Sequence, residues 1–466
     1  MSDDPAARTV ELTEAPPTRG HGRTLLVATA GSFLALALFT TPFCSLGPVA
    51  AVLGAGPGAQ TWMLSSMSVG LTAGLLITGA LADDYGRRRV FVLGAVAVAA
   101  TCLLGVATTS ATLFIVARVG QGLGAAALVS CSLGLIGHTV PAGPGRVRAT
   151  GLWGASVGAG IAFGPVFAAL LDSSLGWRWP YLLLAVLAGA VAVGARLLLT
   201  ESRSARPRRV DLPGALLLGI GTSALLAGLV TGRTGWTRPA TVVLLAAGAV
   251  LLAAFIVVEW RTDRRGGDPL LSLGLLRRPD FAAVTAAGAA TGLGVIAAMS
   301  YTPTVLERGL HSSPLLASLG IVIWSGISVP VALLARRLRI GGDAQLAAGL
   351  IGVAAGLALL TGLQPGDGIA RLAPGLAIAG IGSGVLNAAL GRQAVASVPA
   401  DRAGMGSGAN NTARYLGSAV GVTVVSVLAT HPQPDALLAG WNTAVLITAA
   451  FSLLGAVAVL VLRARR

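Results

Sequence analysis

Uncharged apolar runs of about 18 to 25 residues recur along the whole chain, and nothing else in it constrains the fold as strongly. A run of that length crosses a hydrocarbon core about 30 Å thick as a helix. Inside such a core only a helix or a closed barrel satisfies every backbone N–H and C=O. Fourteen runs are countable, at 24–46, 61–82, 90–109, 112–138, 149–171, 179–199, 212–231, 239–258, 281–305, 314–335, 343–362, 371–396, 406–429 and 441–462. Charged residues are 11% of the chain, against about 25% in soluble domains, which leaves no polar face for a water-soluble bundle. The sequence predicts an all-α membrane protein of fourteen transmembrane helices.

All 33 basic residues are arginine, and the formal net charge is +15. The placement of that charge decides what it is for. With the N-terminus inside, the two termini and the loops after even-numbered runs hold 25 of the 33 arginines. The opposite loops hold only Arg178, Arg233, Arg238, Arg308 and Arg371, while Arg118, Arg196 and Arg414 fall inside runs. This is the positive-inside bias, and it predicts a multi-pass protein of the plasma (inner) membrane with both termini cytoplasmic. The basic balance therefore reports topology, and no nucleic-acid partner is expected. Residues 1–23 carry Asp3, Asp4, Glu11, Glu14 and three prolines, lack the basic start of a secretory signal, and read as a disordered cytoplasmic tail. Cys44, Cys102 and Cys131 lie within runs with no second ligand at a useful spacing, so neither metal nor cofactor is expected.

An internal repeat organises the runs. The fourth, GQGLGAAALVSCSLGLIGHTVP, is followed by RATGLWG; the twelfth, AGIGSGVLNAALGRQAVASVP, is followed by RAGMGSG, about 255 residues later. Gly160 and Gly164 in the fifth run find counterparts in Gly417 and Gly421 of the thirteenth, and ALLARRLRIGG from Ala332 is a degraded echo of ALADDYGRRRV. Two parallel six-helix bundles follow, 24–200 and 279–466, with an inserted two-helix segment and its cytoplasmic linkers at 201–278. Repeats of this kind place a substrate site between the bundles.

Three stretches carry more than packing. In GALADDYGRRRV, Gly79 lets neighbouring helices approach, Gly86 permits a tight turn, and Asp83 stands where its charge meets either the N-terminus of an adjacent helix or the arginines. The positive-inside rule accounts for Arg87 and Arg88 but not for Gly79, Asp83 and Gly86, so the loop reads as a cytoplasmic latch. In ARVGQGLGAA, a guanidinium at mid-membrane costs about 2.5 to 3.5 kcal/mol on insertion scales, so Arg118 needs a partner or a wet cavity, unless it snorkels to the outer surface. In GASVGAGIAFGPVFAALL, Gly160 and Gly164 allow close helix contact, and Pro165 removes a backbone donor and is expected to kink the helix.

Together these stretches resemble the signatures of the major facilitator superfamily. The loop is similar to G-x-L-a-D-r-x-G-r-r through Gly79, Leu81, Asp83, Gly86, Arg87 and Arg88, with Asp84 where a basic residue is usual. Arg118, Gln121, Gly122, Gly124 and Ala125 resemble l-x-x-x-R-x-x-q-G-x-g-a-a, whose arginine the resemblance assigns to proton or substrate coupling. Gly160, Gly164 and Pro165 resemble the exporters' g-x-x-x-G-P-x-x-G-G, with Ala168 and Ala169 in place of the last two glycines. GWRW at 176–179 and DLPGALLL from Asp211 resemble the fourteen-helix drug:proton antiporter branch. That branch usually reads L-D-x-T-x-x-N-x-A-L-P in its first helix; LFTTPFCSLGP puts Phe39 and Cys44 in place of the acid and the asparagine.

A proton-driven pump needs a titrating group reachable from both sides. Glu307, at the mouth of the ninth run, is the preferred coupling candidate beside Arg118, although Arg308 next to it also fits an ordinary interfacial ion pair; Asp172 is second. Gln121, Trp153, Asn387, Asn411 and Arg414 are the substrate-cavity candidates, among aromatics that suit an amphipathic molecule better than a sugar. Without lysine no G-x-x-x-x-G-K-[ST] phosphate loop exists, and no nucleophile–base spacing marks an enzyme. The expectation is a secondary transporter, working as a monomer among membrane lipid, that exports amphipathic small molecules in exchange for protons. An uncoupled facilitator, a narrow-specificity metabolite or lipid exporter, and a transport-inactive sensor or scaffold stay open.

Overall fold

A computed structural model of the chain describes residues 19–141, 143–204, 211–233, 235–399, 402–429 and 433–464. Most of the expected tail, the linker residues 205–210 and His431 lie outside these. Fourteen helices among the described residues are long and apolar enough to cross a membrane. The first bundle comprises α1 (Arg19–Thr40), a short α2 (Pro42–Val52), α3 (Pro57–Tyr85), α4 (Arg87–Ala107), α5 (Ala111–Thr139), α6 (Pro144–Leu175) and α7 (Arg178–Leu198). The inserted pair is α8 (Leu212–Gly232) and α9 (Pro239–Arg264). One long span follows, made of α10 (Pro279–Thr291), a π turn at Gly292–Ile296, α11 (Ala297–Thr304) and a second π turn at Val305–Gly309. The last five are α12 (Pro314–Leu334), α13 (Gly342–Leu359), α14 (Ile369–Ala396), α15 (Ala403–Ala429) and α16 (Pro434–Ala464).

Several helices outrun the apolar runs that announced them, because proline is well suited to a first turn, where its missing N–H would have no partner anyway. Pro144 thus starts α6 well before the apolar stretch at 149, and Pro239, Pro279 and Pro314 open their helices in the same way. The helix also begins at Arg19, five residues inside the expected tail.

The internal repeat is visible as packing. Side chains added at Gly160 and Gly164 would strike the carbonyls of Phe33 and Ala37, so α6 lies directly on α1. At Gly417 and Gly421 they would strike the carbonyls of Ala289 and Leu293, so α15 lies on the α10 span in the same manner. The fifth span packs on the first, and the thirteenth on the ninth. One apolar cluster is built mainly by the first bundle and another by α11 to α16. The two halves meet along α3 with α15 and along α6 with α12 and α14, while α8 packs on α3 and reaches α15.

At two of the prolines that interrupt backbone pairing, the freed carbonyl finds a side chain from another helix. Pro42 has no N–H for the Leu38 carbonyl four residues back, and the Arg118 Nη1 donates to that carbonyl at 3.0 Å. Pro165 cannot serve Ile161, whose carbonyl accepts from Thr40 Oγ1 at 3.3 Å. Helix α6 nevertheless runs through Pro165 without a break in its pairing on either side.

Candidate functional site

The latch closes one end of the molecule. Asp83, 1% exposed, ends α3, and its Oδ1 accepts from Arg87 Nε at 3.0 Å and Nη2 at 2.6 Å. The same oxygen accepts from the Gly404 N–H at 3.1 Å, while Oδ2 accepts from the Met405 N–H at 2.8 Å. Gly404 and Met405 are in the first turn of α15, where N–H groups have no partner within the helix, so Asp83 caps a helix of the other bundle. Gly79 and Gly404 face each other so closely that a Cβ on either would strike the other's backbone. Gly86 has φ 121°, a conformation side-chain-bearing residues rarely adopt, and this turns the chain sharply into α4.

Asp84, which departs from the family pattern, pairs with Arg402 at 2.5 Å, a second tie between the bundles beside the first. Arg88 and Arg89 turn instead to Glu201 after α7, at 3.7 and 3.5 Å, and the Arg88 N–H donates to Glu201 at 3.1 Å. Glu201 gave no signal in the sequence, and Arg402 stood out only as the arginine that opens RAGMGSG, with nothing to tie it to Asp84.

Arg118 does not snorkel. It is fully buried, Nη1 donating to Leu38 and to Gln121 Oε1 at 2.9 Å, and Nη2 to the Phe39 carbonyl at 3.5 Å. Where the first helix of the resembled fourteen-helix branch usually offers an acid, this chain offers Phe39, and the guanidinium is met by backbone carbonyls, that of Leu38 freed by Pro42. Gln121 in turn donates to the Thr101 carbonyl at 3.4 Å.

A chamber lies between the bundles, in the half of the spans away from the latch. Its inner part, about 20 Å³, is lined by Phe39, Phe43, Met299, Tyr415 and Arg414 among others. Sharing Phe39, Phe43 and Ser300 with it, an outer part of about 90 Å³ extends to Ser65 of α3, Leu226 to Arg233 at the end of α8, and Ser418 to Ser426 of α15. Phe39 packs edge-on against Phe43 and Tyr415, with ring centroids 5.9 and 5.7 Å apart. Pockets for drug-sized ligands run about 300 to 1,000 Å³, so the chamber is contracted and must widen to load.

Of the sequence-derived cavity residues, Arg414 lines this chamber, 4% exposed, its Nε without a partner among the described residues. Three others make structural ties. The Trp153 indole donates to Ser32 at 2.8 Å and packs on Gly391, Asn411 donates to Ser407 of its own helix at 3.0 Å, and Gln121 holds Arg118. Asn387 is buried with Oδ1 unpartnered among the described residues.

Glu307 stands in the second π turn, one turn beyond Thr304 on the chamber wall; its Oε1 is buried without a partner, and Cys44 of α2 lies within its electrostatic reach. Asp172 is in the final turn of α6, away from the chamber lining. Arg233, which the sequence placed in an outer loop, instead enters the chamber wall. Burial lowers its pKa to about 10, which leaves it cationic at neutral pH.

Two repeated bundles around a closed-ended chamber are the architecture of a membrane transporter. The model for the Major Facilitator Superfamily matches residues 25–422, and the chain belongs to that family. It is 32% identical over 421 residues to the puromycin resistance protein of Streptomyces alboniger, covering 89% of this chain and 82% of that one. It is 35% identical over 397 residues to the probable actinorhodin transporter of Streptomyces coelicolor, covering 82% and 67%. The structure superposes on the human organic anion transporter MFSD10 with a TM-score of 0.67 over 96% of this chain and 100% of that one; at 18% identity this likeness bears on the fold alone. The chain is thus a multi-pass membrane protein.

Proposed function

We propose that this chain is a secondary active exporter of amphipathic small molecules that exchanges substrate for protons. The observation that carries the reading is the chamber itself, apolar and aromatic, held by Arg414, and shut at one end by Asp83 and Asp84 on the other bundle. The names of the similar proteins, a puromycin resistance protein and a probable actinorhodin transporter, support an antibiotic or drug as substrate. In this reading the latch end is cytoplasmic, as the arginine bias requires, and Gly160, Gly164 and Pro165 let α6 ride on α1 as the bundles rock. The division at 200 and 279, a monomeric working unit, and a transport rather than an enzymatic role belong to the same proposal.

Glu307 is the proton carrier in this scheme, an acid at the rim with one carboxylate oxygen unpaired. A second reading has an observation of its own. Arg118 is held by the Leu38 and Phe39 carbonyls and by Gln121, and Phe39 stands in the acid's place, the arrangement expected of an uncoupled facilitator.

Purified protein in liposomes containing a pH-sensitive dye separates the two. Under an imposed proton gradient, lipophilic drugs are expected to evoke proton flux in wild type and none in Glu307→Gln. Substrate movement without proton flux, unchanged by Glu307→Gln, establishes the facilitator. No movement of any of a broad panel defeats both.

A further inference from the structure

The inserted pair α8–α9 has no counterpart in the six-helix repeat, and beside the apolar Leu226, Leu229 and Val230 its one polar contribution to the outer chamber's lining is chemically distinct from the rest of the wall. Arg233 follows the last residue of α8 and turns into the seam between the bundles. Nη1 donates to Ser65 Oγ of the first bundle at 3.3 Å, and Nη2 to Thr423 Oγ1 of the second at 3.5 Å. Both bonds are long for a guanidinium, whose charge-assisted bonds run about 2.7 to 2.9 Å. Its Nε is buried without a partner among the described residues. The outer chamber's lining contains no carboxylate, and the inner part adds a second cation, Arg414. A half-buried cation whose hydrogen-bond partners among the described residues are two weakly held neutral hydroxyls has donors to spare for an anion.

Resting on the exporter reading above, we infer that Arg233 is a specificity-determining residue, through which the inserted helix pair selects amphipathic substrates bearing a carboxylate or similar anionic oxygen. The anion takes the place of Ser65 and Thr423 on the guanidinium fork, and the aromatic body lies against Phe39 and Phe43. Because Ser65 and Thr423 belong to opposite bundles, displacing both bonds also loosens the seam through which the chamber widens. The selection thus sits at the entrance and the loading step at once.

The test uses 1-pyrenebutyrate and its primary amide, matched in shape and differing in charge, on full-length protein in nanodiscs. Binding is read by quenching of tryptophan fluorescence, with empty discs as background, and transport by efflux from liposomes. Wild type is expected to bind the carboxylate about tenfold more tightly than the amide, the scale of a single charge-assisted bond. Arg233→Gln should erase that difference, weakening the carboxylate about tenfold relative to the amide, and Arg233→Lys should keep part of it. Retained amide binding also shows that the variant is folded. Loss of an arginine that only seals the seam would shift both probes alike. Equal affinity of wild type for the two probes, or a carboxylate preference that survives Arg233→Gln, overturns the inference. Equal transport of both by wild type overturns it while leaving the exporter reading in place, and transport of neither defeats both.

Discussion

Asp83 accepts four hydrogen bonds from two elements, two from the Arg87 guanidinium and two from the first turn of α15. The charge of Arg87 is compensated by this carboxylate, and Arg87 itself is fully buried. Asp83→Asn keeps the shape but leaves that guanidinium without a counter-charge, a change that costs about 3 to 5 kcal/mol when a buried pair is broken. Transport should fall at least tenfold while the protein still inserts and elutes as a single species; normal transport by well-expressed Asp83→Asn would remove the latch from the mechanism. Asp83, Gly79 and Gly86 were legible from the sequence because their spacing is local. Arg402 was not, since it meets Asp84 across 318 positions of chain and no short pattern encodes that distance. Arg118 was legible as a residue needing a partner, but its partners are carbonyls, and a carbonyl has no letter of its own.

At two points a proline opens a carbonyl and a neighbouring helix fills it. This makes Arg118 a backbone partner of α1, apart from any proposed part in coupling. Arg118→Met should therefore destabilise the protein by about 1 to 3 kcal/mol, because the Leu38 carbonyl is left buried and unpaired. Pro42→Ala restores an N–H four residues on, and in that background the same substitution should cost less, with a coupling of at least about 0.5 kcal/mol in thermal unfolding of detergent-solubilised protein. Strict additivity of the two changes would mean that the carbonyl is satisfied some other way. The fourteen spans themselves were legible, since run length alone demands them. The π turns around α11 were not, for the residues at 292–296 are as apolar as any others in the span.

At the scale of the whole molecule, two repeated halves pack around a chamber that is shut at the latch end and contracted at the other. The repeat was legible through its glycines, and the contacts of Gly160, Gly164, Gly417 and Gly421 give it physical meaning. The contribution of α8 to the chamber was hidden, because Arg233 looks like any loop arginine until the fold brings Ser65 and Thr423 to it. The central claim is that Asp83 and Asp84 hold the bundles together at this end and must release for the molecule to cycle. Nitroxide labels at Tyr85→Cys and Ala396→Cys, both exposed and on opposite bundles, report the separation directly by electron–electron distance measurement. The latch predicts one dominant short distance in the otherwise wild-type protein and a shift of several ångströms to a longer population when Asp83→Asn and Arg402→Gln are added. An identical distance distribution in the two proteins would contradict it.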